Sequence, residues 1–141
     1  MRTVSLLVAL SFLFACGPTH SLQAQNTEAF SVLVYSKTNG YRHKSIPTGI
    51  EALQALGNEH GFAVTATEDA SVFASDRLAA YDAVVFLSTS GNVLNDEQQA
   101  AFEEYIRQGG GFVGIHAAAA TEYDWAWYGN LVGAFFDDHP E

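Results

Sequence analysis

Four short apolar runs set the rhythm of this chain: Phe30 to Tyr35, Phe62 to Thr67, Tyr81 to Leu87 and Phe112 to Ile115. Each has strand length and is apolar through its middle, as expected for strands covered on both faces of a parallel sheet. Between them the spacing changes to that of helices. Ile46, Ile50, Leu53 and Leu56 define the buried stripe of a helix running from Ile46-Pro47 to about His60. Ser45 can cap it, Pro47 is tolerated in its first turn, and Gly61 closes it. A second helix starts at Asn95-Asp96-Glu97-Gln98, a capping residue followed by acids, and carries Ala101, Phe102, Tyr105 and Ile106 on its apolar face until Gly109. Asp76 to Ala80 reads as a helical turn and Gly129 to Phe136 as a short helix.

Strands alternating with helices through short connections specify an α/β fold, a doubly wound parallel sheet. The chain stops in an apolar-then-acidic stretch, Gly129 to Glu141, with no closing helix. The expectation is a sequence cut short at its C-terminus, or a domain without its final strands. Such a sheet leaves one edge unpaired.

The first residues stand apart from this pattern. Arg2 precedes an apolar run, Val4 to Ala15, that is too short to cross a bilayer and matches a secretory signal peptide. Two endings compete: ordinary cleavage after Ala24, giving a signal of residues 1–24, or a lipoprotein signal of residues 1–15 with Cys16 lipidated. Both make the protein exported, either secreted or a periplasmic or outer-membrane lipoprotein, touching a membrane only through a lipid anchor. Residues 25–29 form a polar linker and 30–141 one domain. Cys16 is the chain's single cysteine, so disulfide staples and thiolate catalysis in the mature domain are excluded. Sixteen acids against six Lys and Arg give a net charge of −10, which repels phosphate backbones and argues against a nucleic-acid partner.

Chemistry concentrates at strand ends. The run Gly109-Gly110-Gly111-Phe112-Val113-Gly114-Ile115-His116-Ala117-Ala118 places His116 where the fourth strand stops. In parallel α/β sheets the ligand crevice lies outside the carboxyl ends of the strands. Gly114-x-His116-x-Ala118 has the small-x-nucleophile-x-small spacing of a strand-to-helix elbow, with histidine at the nucleophile position. His116 can be a general acid or base, a metal ligand with His43 and His139, or a structural residue bonding across the turn. After the first strand, Lys37, Arg42 and Lys44, half of the chain's Lys and Arg, cluster with Tyr41 and His43. That loop suits an anionic or hydroxyl-rich ligand, Arg42 through its planar donors, or is simply solvated. After the third strand, Ser88-Thr89-Ser90-Gly91 reads first as turn chemistry. Glu122, Tyr123, Asp124, Trp125 and Trp127 follow the elbow, and such residues either bind a sugar, by ring stacking and hydroxyl acceptance, or cover a sheet edge.

Taken together, Val32 to His43, Ala83 to Leu87, Leu94 to Gln98, Gly109 to Ala119 and Thr121 to Trp125 resemble the trehalose-utilisation (ThuA-like) family. The resemblance covers residues 30–141 and implies a class I glutamine amidotransferase-like, flavodoxin-like sheet. True amidotransferases of that fold carry cysteine at the elbow, where this chain has His116, so the resemblance implies a sugar-related role without glutaminase activity. Two positions depart from the family pattern: Ala120, where an acid is expected, and Ala126, in place of proline.

Two function classes follow. One is an enzyme acting on trehalose or a related disaccharide or sugar derivative, with His116 and His43 catalytic and Tyr41, Arg42, Glu122, Tyr123, Asp124, Trp125 and Trp127 binding substrate. Its chemistry would be acid–base or assisted by a divalent metal such as zinc. The other is a carbohydrate-binding or accessory module that keeps the fold without the chemistry.

Overall fold

A computed structural model describes residues 29–139. The expected signal sequence, the lipidation site Cys16 and most of the 25–29 linker lie outside the described residues. Four strands form one parallel sheet in the order β2-β1-β3-β4: β1 (Ser31–Tyr35), β2 (Ala63–Thr67), β3 (Ala83–Leu87) and β4 (Gly111–Ile115). Register is fixed by pairs such as Leu33 with Thr65, Leu33 with Val84 and Val85 with Val113. The order reverses direction between β1 and β3, and there the connections leave on opposite faces and open a crevice at the carboxyl edge. β4 is an edge strand of this sheet, and Val113 on it is 48% exposed.

Alternation within the strands divides the core into two layers. Val32, Val34, Val85 and Leu87 point to one face, which α1 (Ile46–His60) covers with Ile50 and Leu53. The buried stripe of α1 differs from the expected one by a single position. Leu56 is 43% exposed and Gly57 is buried instead. A side chain at residue 57 would reach within 2.7 Å of the Phe62 carbonyl oxygen, so the helix approaches β2 at the one residue that permits contact. Ser45 flanks the helix without a side-chain cap.

Leu33, Tyr35, Val84 and Phe86 point to the other face, beneath α2 (Ser75–Leu78), α3 (Asp96–Arg107) and α4 (Ala126–Val132). The ring of Phe86 stacks on those of Phe102 and Tyr128 at 5.4 and 5.7 Å. The capping box expected at Asn95 and Gln98 is formed, each side chain accepting the other's backbone N–H at 2.9 Å. The last helix corrects the expectation of Gly129 to Phe136. It spans Ala126–Val132, because Trp125, Trp127 and Tyr128 pack on the core and Gly133 at φ 91° ends the helix.

Burial pushes the Tyr105 hydroxyl from an ordinary 10.0 up to about 12, and Tyr35 and Tyr128 are raised further, also chiefly by desolvation. Tyr35 donates to the Val93 carbonyl at 3.1 Å and Tyr128 to that of Ala118 at 2.8 Å. A raised folded-state pKa means that the native chain holds its proton after the unfolded chain has released it. The stabilisation is therefore complete below about pH 10 and is lost as pH rises beyond it. Alkaline titration followed by tyrosinate absorbance and circular dichroism is expected to show these tyrosines ionising together with unfolding, above pH 10. Their ionisation in a folded protein near pH 10 would contradict the packing described.

Candidate functional site

The crevice at the β1–β3 switch point opens into a pocket of about 770 Å³. Three chain segments build it. The loop after β1 brings Gly40, Tyr41 and His43, the turn after β3 brings Ser90 and Gly91, and the segment after β4 brings His116, Ala117, Ala119, Ala120 and Tyr123. Phe136 and His139 close it from the C-terminal side.

Backbone bonds clamp these segments together. The Ser90 carbonyl accepts the N–H groups of Asn39 at 2.8 Å and Gly40 at 3.1 Å, and the Ser90 hydroxyl donates to the Tyr41 carbonyl at 2.7 Å. On the other side, Gly91 N–H donates to the Ala120 carbonyl at 2.9 Å, and Glu122 N–H donates to the Gly91 carbonyl at 3.2 Å. Ser90-Gly91 is thus a hinge pin between the basic loop and the elbow, and it closes the pocket floor. The sequence offered a clue in that a hydroxyl-rich, glycine-ended turn stood at the switch-point strand. Buried Thr89 and Thr121, with hydroxyls 2.8 Å apart, extend the same seam behind the pocket.

His116 occupies the elbow in a strained backbone. Ile115 is extended at φ −115°, His116 turns to φ 55°, and the 3-10 segment His116–Ala120 begins there. The described non-glycine residues of positive φ are Ser88, His116 and Glu122; the first two directly follow the tips of β3 and β4, and Glu122 follows the Thr121 bridge to Gly91. Such conformations cost about 1 kcal/mol or more each and persist where the surrounding structure holds them. The strain aims the exposed His116 ring at half-buried His43, with ring centroids 4.3 Å apart. Tyr41 meets the same His43 ring edge-on at 4.8 Å. Two residues 73 positions apart in sequence therefore form one imidazole pair.

The remaining expected site residues divide. Tyr123 lines the pocket, its hydroxyl donating to the Phe136 carbonyl at 2.9 Å. His139 also lines it, with its ring 4.9 Å from that of Phe136. Arg42 is outside the lining and pairs with Glu68 at 2.6 Å on the surface. Asp124 accepts from the Asn92 side chain at 3.0 Å, also outside. Trp125 and Trp127 stack on each other at 5.0 Å and pack against the core, the edge-covering role. Glu122 is 1% exposed and faces away from the cavity, accepting from Val93 N–H at 2.6 Å, Leu94 N–H at 2.8 Å and the Gln99 amide at 2.7 Å. Phe136 and the alanines were missed as lining residues. The signal was the run Ala117 to Ala120, whose small side chains leave space beside the elbow.

As for a metal, the described residues include no group of three or more His, Cys, Asp or Glu placed to hold one, although His43, His116 and His139 share the cavity. What the arrangement can do is donate and accept protons at two adjacent imidazoles beneath aromatic walls. Among the described residues no helix is long and apolar enough to cross a membrane.

Comparison with known proteins agrees with this architecture. The family model described as ThuA, trehalose utilisation, matches residues 31–141. A crystal structure described as that of a ThuA-like protein from Bacteroides uniformis ATCC 8492 is similar, with a TM-score of 0.60 and 27% identity. The match covers 78% of this chain and 46% of the other, so the chain spans about half the length of that relative. No curated protein matches. With its parallel sheet, its switch-point pocket and a family match over nearly all of the described residues, the chain belongs to the ThuA family.

Proposed function

We propose that this is an exported ThuA-family domain that acts on a trehalose-related disaccharide or sugar derivative, with His116 and His43 as an acid–base pair. The observation that carries the reading is the pair itself, two imidazoles 4.3 Å apart at the switch point of the sheet, on the wall of a pocket of ligand size. Imidazole is the side chain best matched to moving protons near neutral pH. Tyr41, Tyr123 and Phe136 offer aromatic faces on which the C–H faces of a sugar ring stack. The elbow holds histidine and the only cysteine is Cys16, so a glutaminase route through a thiolate has no nucleophile in the domain.

The test is turnover of a disaccharide panel, trehalose included, by the wild-type chain and by His43→Ala and His116→Ala. Each replacement is expected to lower turnover by about 10²-fold or more, the scale of general acid–base catalysis. Sugar binding without turnover in the wild type would favour the non-catalytic module. Turnover unchanged in both variants would remove the imidazole pair from the chemistry.

A further inference from the structure

The chemistry of the pocket lining narrows the ligand. We propose that the site selects an anionic sugar, one carrying a carboxylate or a phosphate, and holds that group at the imidazoles. This rests on the sugar-pocket reading and deepens it.

The polar side chains lining the cavity are Tyr41, His43, Ser90, His116, Tyr123 and His139. The Ser90 hydroxyl is committed to the Tyr41 carbonyl and that of Tyr123 to the Phe136 carbonyl. The side-chain donors left to meet a ligand are three imidazoles and the Tyr41 hydroxyl, while the Ser90 and Tyr123 oxygens keep acceptor capacity alone. Among the described residues no Asp, Glu, Asn or Gln side chain is part of the lining. A neutral sugar presents many hydroxyl donors, and carboxylate and amide oxygens are the side-chain acceptors able to take two of them at once. This pocket lacks both. An anion needs only donors, and a protonated imidazole supplies two N–H donors and a charge.

On the loop after β1, Lys44 and Arg42 flank His43, and Arg42 is paired with Glu68 beyond β2. The turn after β3 contributes only Ser90 and Gly91 to the lining, neither titratable. After β4, the Glu122 carboxylate is buried and bonded to the α3 approach, and Asp124 is bonded to Asn92. At the C-terminal side, Asp137 and Asp138 flank His139 on the surface, and Asp138 accepts the His139 backbone N–H at 2.7 Å. In a chain of net charge −10, the titratable side chains on the cavity wall are, among the described residues, histidines and tyrosines alone.

Because imidazole is the side chain that gains charge between about pH 8 and pH 5, affinity for an anion should strengthen across that window. The experiment is calorimetric titration of the chain with glucuronate, glucose 6-phosphate, glucose and trehalose at about pH 5.5 and about pH 8. One of the two anionic sugars is expected to bind at least about tenfold more tightly than either neutral sugar at the lower pH, and to weaken by about tenfold or more at the higher. Which of the two binds distinguishes carboxylate from phosphate. His116→Gln is expected to weaken the anionic sugar and to shrink the pH dependence by several-fold, His43 and His139 remaining in the lining, while His60→Gln, outside the pocket, leaves it unchanged. Neutral sugars bound as tightly as anionic ones at both pH values would overturn the anion proposal and leave the sugar pocket standing. Failure of every sugar to bind would overturn both readings.

Discussion

Glu122→Ala is expected to lower the unfolding free energy by about 3 kcal/mol or more, read from urea denaturation. The carboxylate is 1% exposed and accepts three N–H donors, from Val93, Leu94 and Gln99, at 2.6 to 2.8 Å. Charge-assisted bonds of this kind are roughly twice as strong as neutral ones. Alanine leaves the two backbone N–H groups buried without an acceptor, and each such orphan costs about 1–3 kcal/mol. Glu122→Gln keeps one oxygen for Val93 and Leu94 but turns an amide against Gln99, so a smaller loss of about 1–2 kcal/mol is expected. Equal stability of Glu122→Ala and wild type would show that the buried carboxylate is not what ties the post-elbow segment to α3. Sequence reasoning placed Glu122 on a sugar. Its side chain instead holds the approach to α3, while its backbone joins Gly91.

His116→Gly separates folding from function. Glycine adopts φ near 55° without the clash between Cβ and backbone that histidine bears there. The variant is expected to stay as stable as wild type within about 1 kcal/mol, the relieved strain offsetting the extra chain entropy of glycine. Turnover is expected to fall by about 10²–10⁴-fold, the contribution of a positioned acid or base. This combination identifies a side chain kept for chemistry at the expense of local backbone strain. A residue kept for packing would behave in the opposite way, with stability falling and turnover preserved. Loss of several kcal/mol on His116→Gly, with activity intact in the folded fraction, would assign His116 to the fold.

Much of the architecture was legible because each local signal agreed with the others. Apolar runs of four to seven residues separated by helical spacing left a parallel sheet as the only consistent arrangement, and the capping box at Asn95 and Gln98 fixed the start of α3. Helix edges near aromatic residues were less legible. Sugar stacking and packing were both open for Trp125 and Trp127, and tertiary contacts turn them onto Phe102, with neighbouring Tyr128 on Phe86. Gly57 was read past because helical periodicity counts side chains, whereas the α1–β2 contact is made by the absence of one.

At the site, strand-tip logic put His116 and His43 on the same edge of the sheet, since β1 and β4 both end there, and left their convergence open. It did not resolve which of the neighbours would follow them. Arg42 and Asp124 sit one residue from pocket-lining positions, and alternation along an irregular loop sends them to Glu68 and Asn92 instead. The alanine run carries no polar group to mark it, yet three of its four residues line the cavity. Those outcomes depend on loop geometry that periodicity does not encode.

With their rings 4.3 Å apart, His43 and His116 are expected to respond to a ligand as one unit. Imidazole nitrogen resonances, followed by NMR during titration with the anionic and neutral sugars, test it most directly. The ring signals of His43 and His116 are expected to move together and saturate at one ligand concentration while those of His60, on α1, stay fixed. Movement of either ring without the other, or of His60 alone, would contradict it.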